Sequence, residues 1–315
     1  LTIGNPGPSV FLLTGIPDLE YAHRWIAIPL CIIYATALVG NCTILYIIRT
    51  EPSLHQPMYY FLCMLALTDL GLSATTLPTM LSVFLFDSRE VNINACFAQL
   101  YFLHTFSVME SAVLLAMAID RFVAIHQPLR YSAILTNTTV SKIGLAFTLR
   151  SVFMVMPTPA LLRRLHYCLP NILSHSFCLH QDVMKLACSD RRINSIYGLF
   201  GVITTMGLDS VLIVLSYVMI IRTVLSIASQ EERLKALNTC VSHICALLTF
   251  YIPMIGISMI HRYGTHASPL VHVFMADVYV LVPPVMNPIV YSVKTKQIRR
   301  RILWRFQRER IPDKD

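Results

Sequence analysis

The sequence predicts an all-α membrane protein, a seven-transmembrane helix bundle followed by a short amphipathic surface helix. Three observations carry this. The chain is 55% hydrophobic and only 13% charged, too apolar for an ordinary soluble domain. Seven stretches, 25–48, 58–86, 91–125, 143–162, 193–221, 236–261 and 269–293, reach the roughly 20 residues that a helix needs to cross a bilayer. They lack the polar outer faces that seven buried helices of a soluble protein would need. In the tail, Ile298, Ile302 and Phe306 recur every four residues with arginines between them, the pattern of a helix lying on an anionic membrane surface.

Each span has its own punctuation. The second carries Asp69 and Pro78. The third holds no lysine, arginine or aspartate from position 91 to 119; only His104 and Glu110 interrupt it before Asp120-Arg121 at its end. An acid-base pair there is costly and marks a working end of the bundle, or else snorkels to the headgroups. The fourth span contains Arg150, Pro157 and Pro159, and the fifth Asp209. Opposite signs let Arg150 and Asp209 pair across those helices. Pro253 breaks the sixth span and Pro283, Pro284 and Pro288 the seventh. Each removes a backbone donor, and a helix kinked at Pro253 or Pro288 can pivot.

Lysine and arginine set the orientation. With the N-terminus outside, sixteen of the 25 fall on the cytoplasmic side, eight on the outer side, and Arg150 inside a span. The net charge of +8 is therefore a topology signal and gives no reason to expect nucleic acid. The expected organisation is an extracellular N-terminus (1–24), the bundle (25–293) and a cytoplasmic amphipathic helix and tail (294–315), in the plasma membrane. Residues 1–20 lack the basic start and apolar core of a signal peptide. Asn137-Thr138-Thr139 falls on the inner side and Asn41-Cys42-Thr43 within the membrane, so neither sequon is expected to be used.

Four of nine cysteines, Cys96, Cys168, Cys178 and Cys188, lie on the oxidising outer side. Four allow three pairings, and spacing does not choose among them. Three of them sit in a long outer loop, 163–192, of a length that is usually functional. His175, Cys178 and His180 have metal-like spacing. No phosphate-binding glycine loop, activated nucleophile or metalloprotease helix is visible, so an enzyme is not expected.

The motifs then identify a family. They are Pro57-Met58-Tyr59-Tyr60-Phe61-Leu62, Leu67-Thr68-Asp69, Met117-Ala118-Ile119-Asp120-Arg121-Phe122, Pro128-Leu129-Arg130-Tyr131, Ser216-Tyr217, Lys235-Ala236-Leu237-Asn238-Thr239-Cys240-Val241-Ser242-His243, Phe250-Tyr251-Ile252-Pro253 and Pro284-Val285-Met286-Asn287-Pro288-Ile289-Val290-Tyr291-Ser292. The chain resembles an olfactory receptor of the rhodopsin-like G-protein-coupled receptors. His104, the long loop and Arg262 look most like the class I, fish-like branch. Phe122 stands where the family usually has Tyr, and Asn5 is followed by Pro6, so its usual N-terminal sequon is absent.

The resemblance implies a ligand pocket in the outer half. Arg262 would clamp an acidic odorant, a short or medium fatty acid, with His104, Ser258 and Gln181 helping. Val155, Gly198 and Val202 would hold its tail. From the residues alone an arginine at that helix end would snorkel to water. Ser258 and Arg262 are four apart and share one helix face. The resemblance also implies a Cys96–Cys178 disulfide, leaving Cys168 and Cys188 as a second pair. Asp69 and Glu110 become a candidate sodium site, the alternative being two carboxylates that share a proton. No other cofactor is expected. Asp120, Arg121, Tyr217, His243, Pro253, Asn287, Pro288 and Tyr291 would form the switch that couples to a stimulatory, olfactory-type G protein. The reading from another class is an ion channel or transporter using Asp69, Glu110 and Asp209.

Overall fold

The computed structural model describes residues 9–16, 23–168, 170–263 and 268–308; at 261–263, 269 and 305–308 it describes the backbone alone. Seven long helices form the bundle: α1 (His23–Thr50), α2 (Pro57–Phe86), α3 (Ile93–His126), α4 (Asn137–Arg163), α5 (Arg192–Leu225), α6 (Gln230–Tyr263) and α7 (Pro269–Lys294). The eighth, α8 (Lys296–Arg308), follows a one-residue break.

Local chemistry sets the ends. Pro57 and Pro269 open α2 and α7, where a missing amide hydrogen costs nothing. The side chains of Asn92, Thr136 and Ser268 cap α3, α4 and α7 by accepting from Asn94, Thr139 and Val271 amides. Within α4 the helix is interrupted at Met156 and resumes at Pro157. Within α5, Ile203–Gly207 is a π-helical turn, which widens the helix locally.

Six of the seven are long and apolar enough, by length and composition, to cross a membrane. The other, α3, has 34 residues and packs on α2, α4, α5 and α6. Its buried Glu110, Ser111 and Asp120 are tolerated because neighbouring helices enclose them. Large apolar side chains face outward around the bundle, among them Trp25, Ile32, Leu145, Phe153, Leu215 and Phe274. An apolar exterior over a polar-centred core is the pattern of a helix bundle in lipid.

Two features differ from expectation. Helix α6 begins at Gln230 instead of 236, because Glu231, Glu232, Arg233 and Lys235 hide the apolar signal yet form helix readily. The described part of the N-terminal segment, 9–16, also contains a strand. Its strand β1 (Val10–Leu13) lies between β2 (Glu90–Asn92) and β3 (Ile172–Leu173), antiparallel to the first and parallel to the second. Phe11 is fully buried, with Phe97 and Tyr167 rings 6.5 and 5.2 Å away.

Beneath this sheet two disulfides hold the loop between α4 and α5. Cys96–Cys178 ties it to α3 and Cys168–Cys188 closes the loop on itself, with Cα atoms 5.5 and 5.9 Å apart. The first bridge takes the cysteine of the metal-like triplet, and no cluster of three or more His, Cys, Asp or Glu side chains suited to a metal occurs among the described residues.

At the opposite end α8 docks by Ile298, which is fully buried, and by half-buried Ile302; the side chain of Phe306 lies outside the described residues. Arg301 bonds Glu51 at 2.8 Å, and Tyr59 donates to Gln297. Leu303 and Trp304 are left exposed, as a surface-lying helix requires.

Closing a loop of this size stabilises a fold by about 3 kcal/mol. Replacing Cys168 and Cys188 together by Ser should therefore lower the melting temperature of detergent-solubilised protein by several degrees while non-reducing peptide mapping still shows Cys96–Cys178. An unchanged melting temperature would refute a structural role for the second bridge.

Candidate ligand site and switch

Between the capped end and the bundle centre lies a cavity of about 370 Å³. His104 and Val108 reach it from α3, Val155 and Thr158 from α4, and His180 and Gln181 from the loop. Helix α5 supplies Gly198, Val202, Thr205 and Met206, and α6 supplies Ser258. The structure thus brings His104, Val155, Gln181, Gly198, Val202 and Ser258 to one cavity. The side chain of Arg262 lies outside the described residues; its backbone is one turn beyond Ser258, in the last turn of α6.

The cavity is amphipathic, like most small-molecule sites. The ring of His104 stands edge-on to that of His180 at 6.0 Å, and its Nε2 is buried with no hydrogen-bond partner. An unpaired nitrogen in a cavity wall is a group for a ligand to satisfy. His180, Lys185 and Arg191 also line the cavity. His180 was legible only as part of a metal-like triplet, and the two cations only as loop charges.

The loop lid is built for rigidity. Gln99 of α3 accepts from the Cys178 amide at 2.9 Å and donates to Thr75 and Thr79 of α2. Asp182 is buried, accepting from the Ser174 amide at 2.7 Å and pairing with His175 at 2.9 Å. Burial alone would raise the Asp182 carboxyl; the His175 bond and charge, the Ser174 amide and Lys185 outweigh it and hold it below the usual range. His180 is held neutral, its pKa lowered by burial to about 4.

Just below the cavity, Arg150 of α4 forks onto Asp209 of α5 with bonds of 2.8 and 2.6 Å. Ser111 of α3 donates to the same carboxylate at 2.9 Å and shares a 2.9 Å bond with Tyr251 of α6. The ion pair was legible from opposite signs; its extension through Ser111 and Tyr251 was not. Tyr251 lies two residues before Pro253, which is buried in α6.

Deeper still, Asn287 of α7 donates to both oxygens of Asp69, at 3.2 and 3.1 Å, and to Glu110 at 3.4 Å. Glu110 Oε2, Asn287 Oδ1 and Ser73 Oγ are buried without hydrogen-bond partners. Buried oxygens left over beside two acids fit a small hard cation, which takes oxygen ligands. Asn41 ties α1 to α7 by donating to Pro284 O at 2.9 Å. Pro288 presses on Gly40 so closely that a Cβ there would sit 2.9 Å from its ring.

At the end opposite the disulfides, Arg121 bonds Asp120 at 2.7 Å, and the Tyr131 hydroxyl donates to the other Asp120 oxygen at 2.7 Å. Tyr217 and His243 Nδ1 are 2.8 Å apart, and His243 Nε2 is 3.0 Å from Leu114 O. Tyr291 is fully buried, its hydroxyl 3.9 Å from Met117 Sδ.

These features define a seven-helix membrane receptor with the architecture of rhodopsin. The crystal structure of squid rhodopsin superposes with a TM-score of 0.68 over 93% of this chain and 87% of that one, at 17% identity, a likeness of fold. The chain belongs to the olfactory receptor family: the family model for olfactory receptors matches residues 30–309. Human olfactory receptor 51L1 is 62% identical over 297 residues, 94% of each chain. Human olfactory receptor 51A7 is 62% identical over 301 residues, 96% of each, and human olfactory receptor 51G2 is 61% identical over 308 residues, 97% of this chain and 98% of that protein. It is accordingly a multi-pass membrane receptor for odorants and not an enzyme.

Because His180 is neutral in the fold but has an ordinary value of 6.5, its stabilising effect is complete above about 6.5 and fades as pH falls toward 4. The depressed Asp182 carboxyl acts in the same direction, losing its contribution only below the usual carboxylate range. Protection of residues 173–188 against hydrogen exchange, corrected for the pH dependence of the intrinsic amide rate, should therefore be constant from neutral pH down to about 6.5 and fall below it. Protection that stays constant down to pH 4 would contradict the buried, neutral His180.

Proposed function

We propose that this receptor binds a small carboxylic acid, a short or medium fatty acid, in the 370 Å³ cavity and activates a stimulatory heterotrimeric G protein of the olfactory type. One observation carries the reading. A single cavity gathers the hydrogen-bonding groups of His104, Gln181 and Ser258 with the apolar wall of Val155, Gly198 and Val202, and Arg262 follows Ser258 by one turn. A carboxylate entering such a site loses its water, and a guanidinium replaces it with two parallel bonds. The excess of lysine and arginine on the α8 side supports an extracellular N-terminus.

The ligand must bind the open state better than the closed one. Ser111 and Tyr251 connect the floor of the cavity to α6 just before Pro253. A pivot there parts the inner ends of α3 and α6, and Arg121 leaves Asp120 to meet the G protein. Asp69, Glu110, Asn287 and Ser73 would hold a sodium ion, which supplies the charge that two buried carboxylates lack. The channel reading is less well supported: Asp209 is committed to Arg150 and Ser111, and Asp69 to Asn287.

Removing one partner of a buried charged pair costs roughly 3–5 kcal/mol. Arg262→Ala should therefore abolish responses to fatty acids in a cyclic-AMP dose-response at equal surface expression. Arg262→Lys should recover only part, since an ammonium cannot reproduce the fork. Undiminished activation of the Ala variant by acids, or activation of the parent by neutral odorants alone, would refute the acid clamp.

Arg121→Ala should abolish nucleotide exchange on the G protein while leaving ligand binding largely intact. Normal signalling by that variant would mean that the coupling face lies elsewhere.

A further inference from the structure

The wall of the ligand cavity has a gap. Tyr197, Gly201 and Thr205 are four apart along α5 and share one face. Tyr197 uses that face to touch α4, donating to Met154 O at 2.6 Å. Farther along, Asp209 grips Arg150 of α4 at 2.6 Å. The two ties are about 18 Å apart along the helix. Between them, one turn past Tyr197, a Cβ added at Gly201 would meet no atom within 4 Å. A glycine on a helix face turned toward its neighbour ordinarily permits close approach; here the space it leaves is not filled.

That space belongs to the cavity. Gly201 and Val202 line it from α5, and Met154 and Thr158 from α4. Val202 lines the cavity and is 37% exposed. The same stretch of the bundle exposes Phe153 and Met156 on α4 and Phe200 and Ile203 on α5. These are large apolar groups facing where lipid must lie. The π-helical turn Ile203–Gly207 sits immediately below, so α5 departs from regular winding where the seam is loosest.

We propose that the α4–α5 seam at Gly201 is a lateral opening of the ligand cavity into the bilayer, and that it takes the alkyl tail of an amphiphilic ligand whose polar head stays at His104 and Ser258. This rests on the acid-binding reading and deepens it, extending the ligand class to medium- and long-chain carboxylic acids. A closed cavity would reject a lengthening tail. An open seam lets each added methylene leave water, at about a fourfold gain in potency per methylene.

The test is a cyclic-AMP dose-response over straight-chain acids from butanoic to dodecanoic, referred to free aqueous concentration, on the parent and on Gly201→Leu at equal surface expression. The parent should gain potency along the whole series. Gly201→Leu should lose about tenfold or more for decanoic and dodecanoic acids and less than about twofold for butanoic acid, a difference on the scale of two or three methylenes. A parent whose potency collapses beyond hexanoic acid, or a variant whose losses are equal at every length, overturns the opening.

A second variant serves where no acid activates the parent, an outcome that would sink the acid reading alone. Gly201→Cys adds a thiol where there is room for one. It should react with an apolar maleimide delivered from the bilayer and resist a charged, membrane-impermeant one. Peptide mass at position 201 gives the answer, because Cys31 and Cys42 are exposed as well. Reaction with neither reagent, or with the charged one equally, overturns the proposal.

Discussion

Asp209 is where four helices meet. Its carboxylate takes the fork of Arg150 from α4 and the hydroxyl of Ser111 from α3, and through Ser111 it reaches Tyr251 on α6. In lipid an unpaired charge is expelled or neutralised, so such a pair is kept only where its geometry is good. The constraint orders the molecule along its axis. Above it α5 is held against α4 and α3, which shapes the cavity at Thr205 and Met206. Below it the inner half of α6 hangs from Tyr251 and Pro253.

The two ends of the bundle are stabilised by different means. At one end disulfides, a three-stranded sheet and the buried rings of Phe11 and Phe97 make a fixed lid. At the other, the Arg121–Asp120 pair, the Tyr217–His243 contact and the docking of α8 rest on hydrogen bonds and one buried isoleucine. Hydrogen bonds can be exchanged for others of similar strength, whereas covalent bridges cannot. The rigid end suits recognition, and the exchangeable end suits a change of state.

Much of this was legible in the chain. Apolar length located the helices, opposite signs at Arg150 and Asp209 announced their pairing, and a four-residue spacing marked the buried face of α8. What escaped was contact between distant positions. Val10–Leu13 reads as an apolar scrap of an N-terminal segment, and its partners lie 80 and 160 residues away. The charged start of α6 hides from any measure of hydropathy. Ser111 and Tyr251 are ordinary residues of apolar helices until the fold sets them beside a carboxylate. The cavity residues were reached through family motifs, since no local pattern distinguishes Gly198 or Val202 from packing.

The place of β1 in its sheet has a consequence for how the receptor is made. Leu12 pairs with Ile172, so the first strand to leave the ribosome waits for four helices to be synthesised before its last neighbour exists. Until then Phe11 and Phe97, both buried in the finished lid, lack their full cover. The nascent receptor therefore displays an apolar surface through about the first half of its synthesis, and the lid can close only once residues 172–173 have followed α4.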